Sequence, residues 1–123
     1  MPGVPTIHHL ALRVADPVRS AAFYTGVLGL SELRRVADAS GLHAVWLRTG
    51  TLVLMLEKRL RGGGASEGSG HLLALAVNDL VDARERLARA GVLVEDCTDH
   101  TLYFRDPDGH RLGLSDFSFA PFS

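Results

Sequence analysis

The chain has 123 residues, of which 46% are apolar and 22% are charged, as expected for one globular domain. Its formal net charge of −1 argues against a broad basic surface for nucleic acid. The single cysteine, Cys97, excludes an internal disulfide and a paired-cysteine zinc site. The longest apolar run, residues 51–56, is much shorter than the roughly 20 residues of a membrane helix, and the N-terminus lacks a signal-peptide pattern. The sequence therefore predicts a cytoplasmic protein that binds neither nucleic acid nor a membrane.

The first half of the chain predicts a strand, a helix and three further strands. Residues 7–14 form an apolar run typical of a buried strand. Asp16 is placed to cap a helix that begins at Pro17 and ends at Gly29. Strands are then expected over residues 32–36, 43–47 and 52–56, with a turn at Gly50 between the last two.

The second half repeats this pattern at an offset of 63 residues. Residues 71–81 are identical to residues 8–18 at seven of eleven positions, which indicates two copies of one unit. In the second copy we expect a strand over residues 72–77, a helix from Asp79 to Gly91, and strands over residues 93–95, 101–104 and 111–115. The sequence Asp-Pro-Asp-Gly at residues 106–109 predicts the turn before the last strand.

The segment between the two copies, residues 61–70, is rich in glycine and has the composition of a flexible linker. A mobile flap over a site is the alternative interpretation. The chain is thus predicted to be a single domain, residues 1–123. Module one covers about residues 6–57, module two covers about residues 71–117, and an apolar tail follows at residues 117–123.

Three segments resemble one known family. Residues 9–16, 23–30 and 104–112 read HLALRVAD, FYTGVLGL and FRDPDGHRL. On these motifs the chain is identified as a member of the vicinal oxygen chelate superfamily, which includes glyoxalase, bleomycin-resistance and extradiol-dioxygenase proteins. The resemblance implies an α+β fold in which two βαβββ modules form a curled mixed sheet with a concave cleft. It also implies a homodimer.

Enzymes that this chain resembles hold a divalent metal on four His, Glu or Gln side chains. The ligands come from the first and last strands of each module. In each module the resemblance places one ligand five residues before the valine of the first strand, Val14 or Val77, and one four residues after the turn glycine, Gly50 or Gly109. The four matching positions are His9, Leu54, Leu72 and Gly113. Only His9 is a donor. Because the chain departs from the family's ligand pattern at the other three positions, we expect a cleft that holds neither the family's metal nor another cofactor.

His71 is the second candidate ligand, but it lies one residue before the expected position. Because adjacent strand residues point to opposite faces, His8 and His71 are expected to point away from the face of His9. A β-bulge could re-aim His71. A divalent Zn, Mn, Ni or Fe ion held by His9 and His71 is therefore the alternative.

The expected cleft is small and largely apolar. Strand alternation adds Arg13 and Arg111 to its lining, and Trp46 and Tyr103 are expected in its walls, although Trp46 could instead be a core residue. Fosfomycin-detoxifying relatives carry a tyrosine matching Tyr103. Glu57 is expected to face solvent. The predicted ligand-binding residues are His9, Arg13, Trp46, Leu54, Leu72, Tyr103, Arg111 and Gly113.

The function predicted from these features is binding of a small organic molecule without chemistry, as in drug sequestration. A metal-dependent lyase, isomerase or dioxygenase around His9 and His71 is one alternative. A metal-free enzyme is another, with His9 as the best candidate for a general base, and a scaffolding role is a third. The tail, with Phe117, Phe119 and Phe122, is expected either at a dimer interface or packed on its own chain.

Overall fold

The computed structural model describes residues 3–60 and 70–119, and these form two compact units, one on each side of the boundary between Gly64 and Ala65. The first unit contains β1 (His9–Arg13), α1 (Pro17–Ala22), a π-helical turn (Phe23–Val27), β2 (Ser31–Asp38), β3 (Gly41–Thr49) and β4 (Leu52–Glu57). The second contains β5 (Leu73–Ala76), α2 (Leu80–Arg89), β6 (Asp96–Cys97), β7 (Thr101–Arg105) and β8 (Arg111–Ser115).

Each unit carries one four-stranded mixed sheet of the same topology. The strand orders are β1-β4-β3-β2 and β5-β8-β7-β6. The first strand of each unit pairs in parallel with the last, and the other neighbours are antiparallel. The predicted α+β class and the repeated βαβββ module are therefore confirmed. The predicted linker falls largely on residues 61–69, which lie outside the described residues.

Aspartate caps begin both helices, as the sequence predicts. The Asp16 carboxylate accepts hydrogen bonds from the backbone N–H groups of Val18 and Arg19 at 3.0 and 3.2 Å. Asp79 caps α2 in the same way. Each cap satisfies backbone donors that have no partner inside the helix.

The first helix is shorter than expected. The sequence predicts one helix that ends at Gly29, whereas α1 ends at Ala22 and continues as the π-helical turn. In this turn the Leu28 N–H donates to the Phe23 carbonyl at 3.3 Å. Such an extra residue in one turn is typical of a π-bulge. Gly29, with φ of 79°, then ends the helical path as predicted.

Each core lies on the helix side of its sheet. In the first unit α1 packs on β3 and β4, whose large buried side chains are Val45, Leu47, Leu54 and Leu56. In the second unit α2 packs on β7 and β8, with Leu102, Phe104, Leu112 and Leu114 buried. Because strand residues alternate, the neighbouring residues of these strands form the opposite face.

The second strand of the predicted second module is displaced. The sequence predicts it at residues 93–95, but the structure has the two-residue strand β6 at Asp96–Cys97. Asp96 pairs with Tyr103 and Cys97 with Leu102, while Leu93 is exposed. Pairing with β7 therefore decides the strand position, and the apolar character of residues 92–94 does not.

The described part of the C-terminal tail is exposed. Phe117 and Phe119 are 54% and 69% exposed, and their rings meet edge to face at 5.3 Å. The tail segment around Phe122 lies outside the described residues. Among the described helices, none is long and apolar enough to span a membrane.

Candidate functional sites on the two sheet faces

The first unit presents a mixed apolar and charged surface on the face of its sheet opposite α1, here called the His9 face. Strand pairing places Val53 and Arg48 beside His9, and Met55, Trp46 and Arg34 beside Ala11. The same face carries Arg13, Glu57, Ala44 and Val36. His9, Arg13 and Trp46, which are predicted to line a cleft, thus share this face.

Leu54 does not share it, and this part of the prediction is wrong. Leu54 pairs with Leu10 and Leu47 and is 1% exposed in the core. Met55 occupies the strand position that the sequence analysis assigned to Leu54. The physical reason is that the corresponding turns of the two units differ in length. In the first unit Thr49 pairs with Leu52 across the two-residue turn 50–51. In the second unit Arg105 pairs with Arg111 across the five-residue turn 106–110. Counting from the turn glycine therefore gives a register that is wrong by one residue in the first unit.

Trp46 is held between a carboxylate and a guanidinium. Its Nε1–H donates to Oε2 of Glu57 at 3.1 Å, and the guanidinium carbon of Arg34 lies 5.7 Å from the ring centroid. The hydrogen bond satisfies the polar edge of the indole, and the cation lies where the ring's π electrons attract it. Trp46 is therefore a positioned, half-buried side chain of the sheet face rather than a core residue.

The prediction that Glu57 faces solvent is also wrong. It rests on the same one-residue error in the register of β4, because Glu57 lies on the opposite face of this strand from Leu54. Glu57 pairs with Arg13 and Ala44 and is half-buried. Sequence reasoning missed it because the face of Glu57 depends on the register of the β1–β4 pair, which only the structure shows.

His8 contacts His9 instead of pointing away from it. The Nδ1 atoms of the two imidazoles lie 2.9 Å apart, and the rings meet edge to face with centroids 5.2 Å apart. Strand alternation fails here because β1 begins at His9, so His8 precedes the pleated strand. His9 thus has a hydrogen-bonding neighbour that the sequence did not predict.

The second unit has a corresponding face, here called the Tyr103 face. Gly113 pairs with Ala74 on one side and with Tyr103 on the other, and Arg111 pairs with Arg105. The hydroxyl of Thr101 donates to that of Ser115 at 2.8 Å. Gly113 is buried, and an added Cβ would lie 3.3 Å from the Thr101 methyl and 3.6 Å from the Ala74 methyl.

Strand register makes Trp46 and Tyr103 equivalent residues of the two units. Trp46 lies opposite Met55, which pairs with Ala11. Tyr103 lies opposite Gly113, which pairs with Ala74, the repeat partner of Ala11. Each sheet therefore carries one large amphipathic ring at the same place.

The positions where the superfamily resemblance places metal ligands do not fit a metal in this chain. In the first unit Val53 and Met55 flank His9 and Ala11 on β4. In the second unit Leu72, 43% exposed, and Gly113 offer no donor atom. His71 precedes β5 and is not part of its pleat. Within the described residues of either unit, no three His, Cys, Asp or Glu side chains are grouped so that they could hold an ion.

Comparison with known proteins agrees with the fold and the motifs. The chain is 29% identical over 127 aligned positions to glutathione transferase FosA of Serratia marcescens, covering 94% of this chain and 83% of that protein. It superposes on TnmS3, an antibiotic binding protein from Streptomyces sp. CB03234, with a TM-score of 0.73 at 20% identity, covering 94% and 98% of the two chains.

It also superposes on the fosfomycin resistance protein FosX of Mesorhizobium loti with a TM-score of 0.75 at 18% identity, covering 94% of each chain. At these identities the two solved structures share the fold with this chain. A sequence model of one family matches residues 6–114, which is most of the chain. The chain therefore belongs to the Glyoxalase/Bleomycin resistance protein/Dioxygenase superfamily.

Proposed function

We propose that this protein binds a small organic molecule on the His9 face without a resident metal, and that it acts by sequestering that molecule. The function is binding rather than chemistry because the face offers apolar and aromatic side chains and few reactive groups. A drug or a drug-like metabolite is the ligand that we expect.

The observation that carries the proposal is the anchored indole. Trp46 is fixed by its hydrogen bond to Glu57 and lies beside Met55, while Arg34 covers part of its ring. A rigid aromatic side chain beside an adaptable thioether gives contact area at low entropic cost. A few polar groups around such an apolar surface are typical of small-molecule sites.

The donor chemistry supports the metal-free form of the proposal. Of the four positions that the resemblance assigns, only His9 is a nitrogen or oxygen donor. The others are Leu72, Gly113 and Leu54, whose place on the His9 face is taken by the thioether of Met55. Catalytic zinc sites usually keep three protein ligands, so a lone imidazole is a weak anchor.

The similarity to a glutathione transferase, an antibiotic binding protein and a fosfomycin resistance protein supports a drug-resistance role. We keep the expectation that the protein acts as a cytoplasmic homodimer.

The test is calorimetric titration of chelator-treated protein with a panel of drugs that includes fosfomycin, metal-free bleomycin and planar aromatic compounds of each charge. We expect saturable binding of at least one of them, with the same Kd after Zn²⁺ or Mn²⁺ is added. Trp46→Ala should weaken binding, whereas Leu93→Ala, which removes an exposed side chain of the other unit, should not. Binding that requires added metal, or no binding of any of these compounds, would refute the proposal.

A second candidate function, metal-free proton transfer by His9, is favoured by the His8 contact. A general base needs a partner that orients it, and the Nδ1 of His8 at 2.9 Å supplies one. In this case turnover of fosfomycin with glutathione would be detectable without metal and lost in His9→Gln. If binding persists while no turnover is found, the first function stands and the second is rejected.

A further inference from the structure

Positive charge predominates on the His9 face. Three arginines, Arg13, Arg34 and Arg48, share it with one carboxylate, Glu57. That carboxylate already accepts the indole N–H of Trp46. The face therefore has more cationic than anionic groups, in a chain whose overall formal charge is −1.

Two of these arginines have no acidic partner in the part of the chain that the structure describes. Among residues 3–60 and 70–119, no carboxylate forms an ion pair with Arg34 or Arg48. The next residue, Arg35, differs: its Nε lies 2.9 Å from the Glu32 carboxylate. That contact raises the pKa of Arg35 and lowers the pKa of Glu32. Among the described residues, charge compensation is thus present at Arg35 and missing at Arg34 and Arg48.

The two uncompensated guanidinium groups flank the same aromatic ring. Arg34 lies opposite Trp46 on β2, and Arg48 lies two residues from Trp46 on β3, on the same face. Arg34 and Arg48 are therefore diagonal neighbours with Cα atoms about 7–8 Å apart, a distance that long side chains can bridge. Both can reach one anionic group placed beside the indole.

The apolar part of the face matches a flat ring system. Ala11, Met55 and Trp46 lie side by side across three strands. Since neighbouring strands are about 4.8 Å apart, this row is about 10 Å wide. Two fused aromatic rings have a similar length, so they can lie on the row while one end reaches the arginines.

We propose that the ligand is a planar aromatic anion, with its ring on Met55 and Trp46 and its acidic group between Arg34 and Arg48. This inference rests on the proposed function and specifies its ligand class. Guanidinium is well suited to it, because it pairs with carboxylates in a planar, two-pronged geometry and also stacks on rings.

The experiment compares three probes of one shape: 2-naphthoate, neutral 2-naphthamide and the protonated 2-naphthylmethylamine. Binding is followed by calorimetry and by the indole N–H resonance, which is single because Trp46 is the only tryptophan. We expect all three to shift this resonance and 2-naphthoate to bind most tightly. Exposed ion pairs contribute a factor of about two to five each, and this preference should shrink with added NaCl.

Variants separate charge recognition from ring binding. Arg34→Gln and Arg48→Gln should each reduce the ratio of 2-naphthoate affinity to 2-naphthamide affinity toward one. Arg35→Gln is the matched control, since its charge is already compensated by Glu32, and it should change neither affinity.

Equal affinities for the three probes, tightest binding of the amine, or an anion preference that survives in the Arg34→Gln/Arg48→Gln double variant would each overturn the inference. Failure of every probe to move the indole resonance at its solubility limit would also overturn it. These outcomes are distinct from failure of the proposed function, which is judged by the drug titrations alone.

Discussion

His8 and His9 show how a single contact can set the chemistry of a site. Their Nδ1 atoms lie 2.9 Å apart, and when both rings are neutral this hydrogen bond requires a proton on one of the two Nδ1 atoms. If His9 carries it, the Nε2 of His9 is an acceptor. If His8 carries it, the Nε2 of His9 is a donor.

We therefore predict that one of the two histidines is an Nδ1–H tautomer in alkaline solution. Long-range ¹H–¹⁵N NMR spectra of the imidazoles distinguish the tautomers directly. His8→Ala should alter the ¹⁵N shifts of His9, whereas His100→Ala, in the other unit, should leave them unchanged. Nε2–H tautomers at both His8 and His9 would contradict the hydrogen bond.

Asp106 explains why the Asp-Pro-Asp-Gly turn is well formed. It is buried, and its Oδ1 accepts the backbone N–H groups of Asp108 and His110 at 2.9 and 2.8 Å. Asp106→Ala would leave these two donors without that acceptor, so we expect a loss of about 2 kcal/mol in the free energy of unfolding. Urea denaturation measures this. Asp99→Ala, an exposed change, should shift stability by less than about 0.5 kcal/mol, and equal stabilities of the two variants would show that the turn does not depend on Asp106.

Residue-level prediction worked where a local pattern fixes the outcome. The caps at Asp16 and Asp79 depend on a few neighbouring residues, and both form. Leu54 and Glu57 were assigned to the wrong faces because face assignment depends on pairing with a distant strand. A shift of one residue exchanges the two faces of a strand.

At the scale of elements, the turn of the β2–β3 hairpin contains hydrogen bonds to a titratable carboxylate, that of Asp38. Oδ1 of Asp38 accepts the Ser40 hydroxyl at 2.6 Å and the Ser40 backbone N–H at 2.8 Å. These bonds hold the pKa of Asp38 below its ordinary value, and the bond from the Ser40 hydroxyl has the larger effect. Because the folded pKa is lowered, the contribution to stability is complete above the ordinary aspartate pKa and is lost as pH falls through the lowered pKa of the folded state.

Ser40→Ala should therefore raise the pKa of Asp38 toward its ordinary value, since the larger of the two hydrogen bonds is removed. A pH titration of the Asp38 carboxyl ¹³C resonance measures the change. Glu32 serves as the internal control, because the Arg35 side chain lowers its pKa and is unchanged in the variant. An unaltered Asp38 titration would show that the hydroxyl does not stabilise the carboxylate.

Element prediction succeeded for strands with strong internal patterns and failed where pairing decides. The last strand, β8, has the predicted bounds. The two-residue strand β6 exists only through its pairing with β7, and the π-helical turn after α1 has no periodicity of its own in the sequence. Local propensity therefore predicts whether a helix or a strand forms more reliably than it predicts the residues at which that element begins and ends.

At the scale of the whole molecule, the homodimer remains a prediction, and substitutions in the C-terminal tail can test it. Phe117 and Phe119 are exposed and in mutual contact, and contiguous exposed apolar surface is typical of an interface. We expect sedimentation to give twice the chain mass of 13.2 kDa, and the Phe117→Ser/Phe119→Ser double variant to sediment as a monomer. Leu93→Ser, an exposed apolar residue elsewhere, should remain dimeric. A monomeric wild type, or a double variant that stays dimeric, would place the tail outside any dimer interface.

The sequence alone determined the family, the repeated βαβββ unit, the helix caps and the poor match to a metal site, because each of these depends on residue identity and short spacing. The tertiary structure decided which side chains share a face. In that structure Met55 and Glu57 lie beside Trp46, Leu54 lies in the core, and His8 contacts His9. These outcomes depend on strand register and on where a strand begins, which are set by packing and hydrogen bonding between segments distant in the chain.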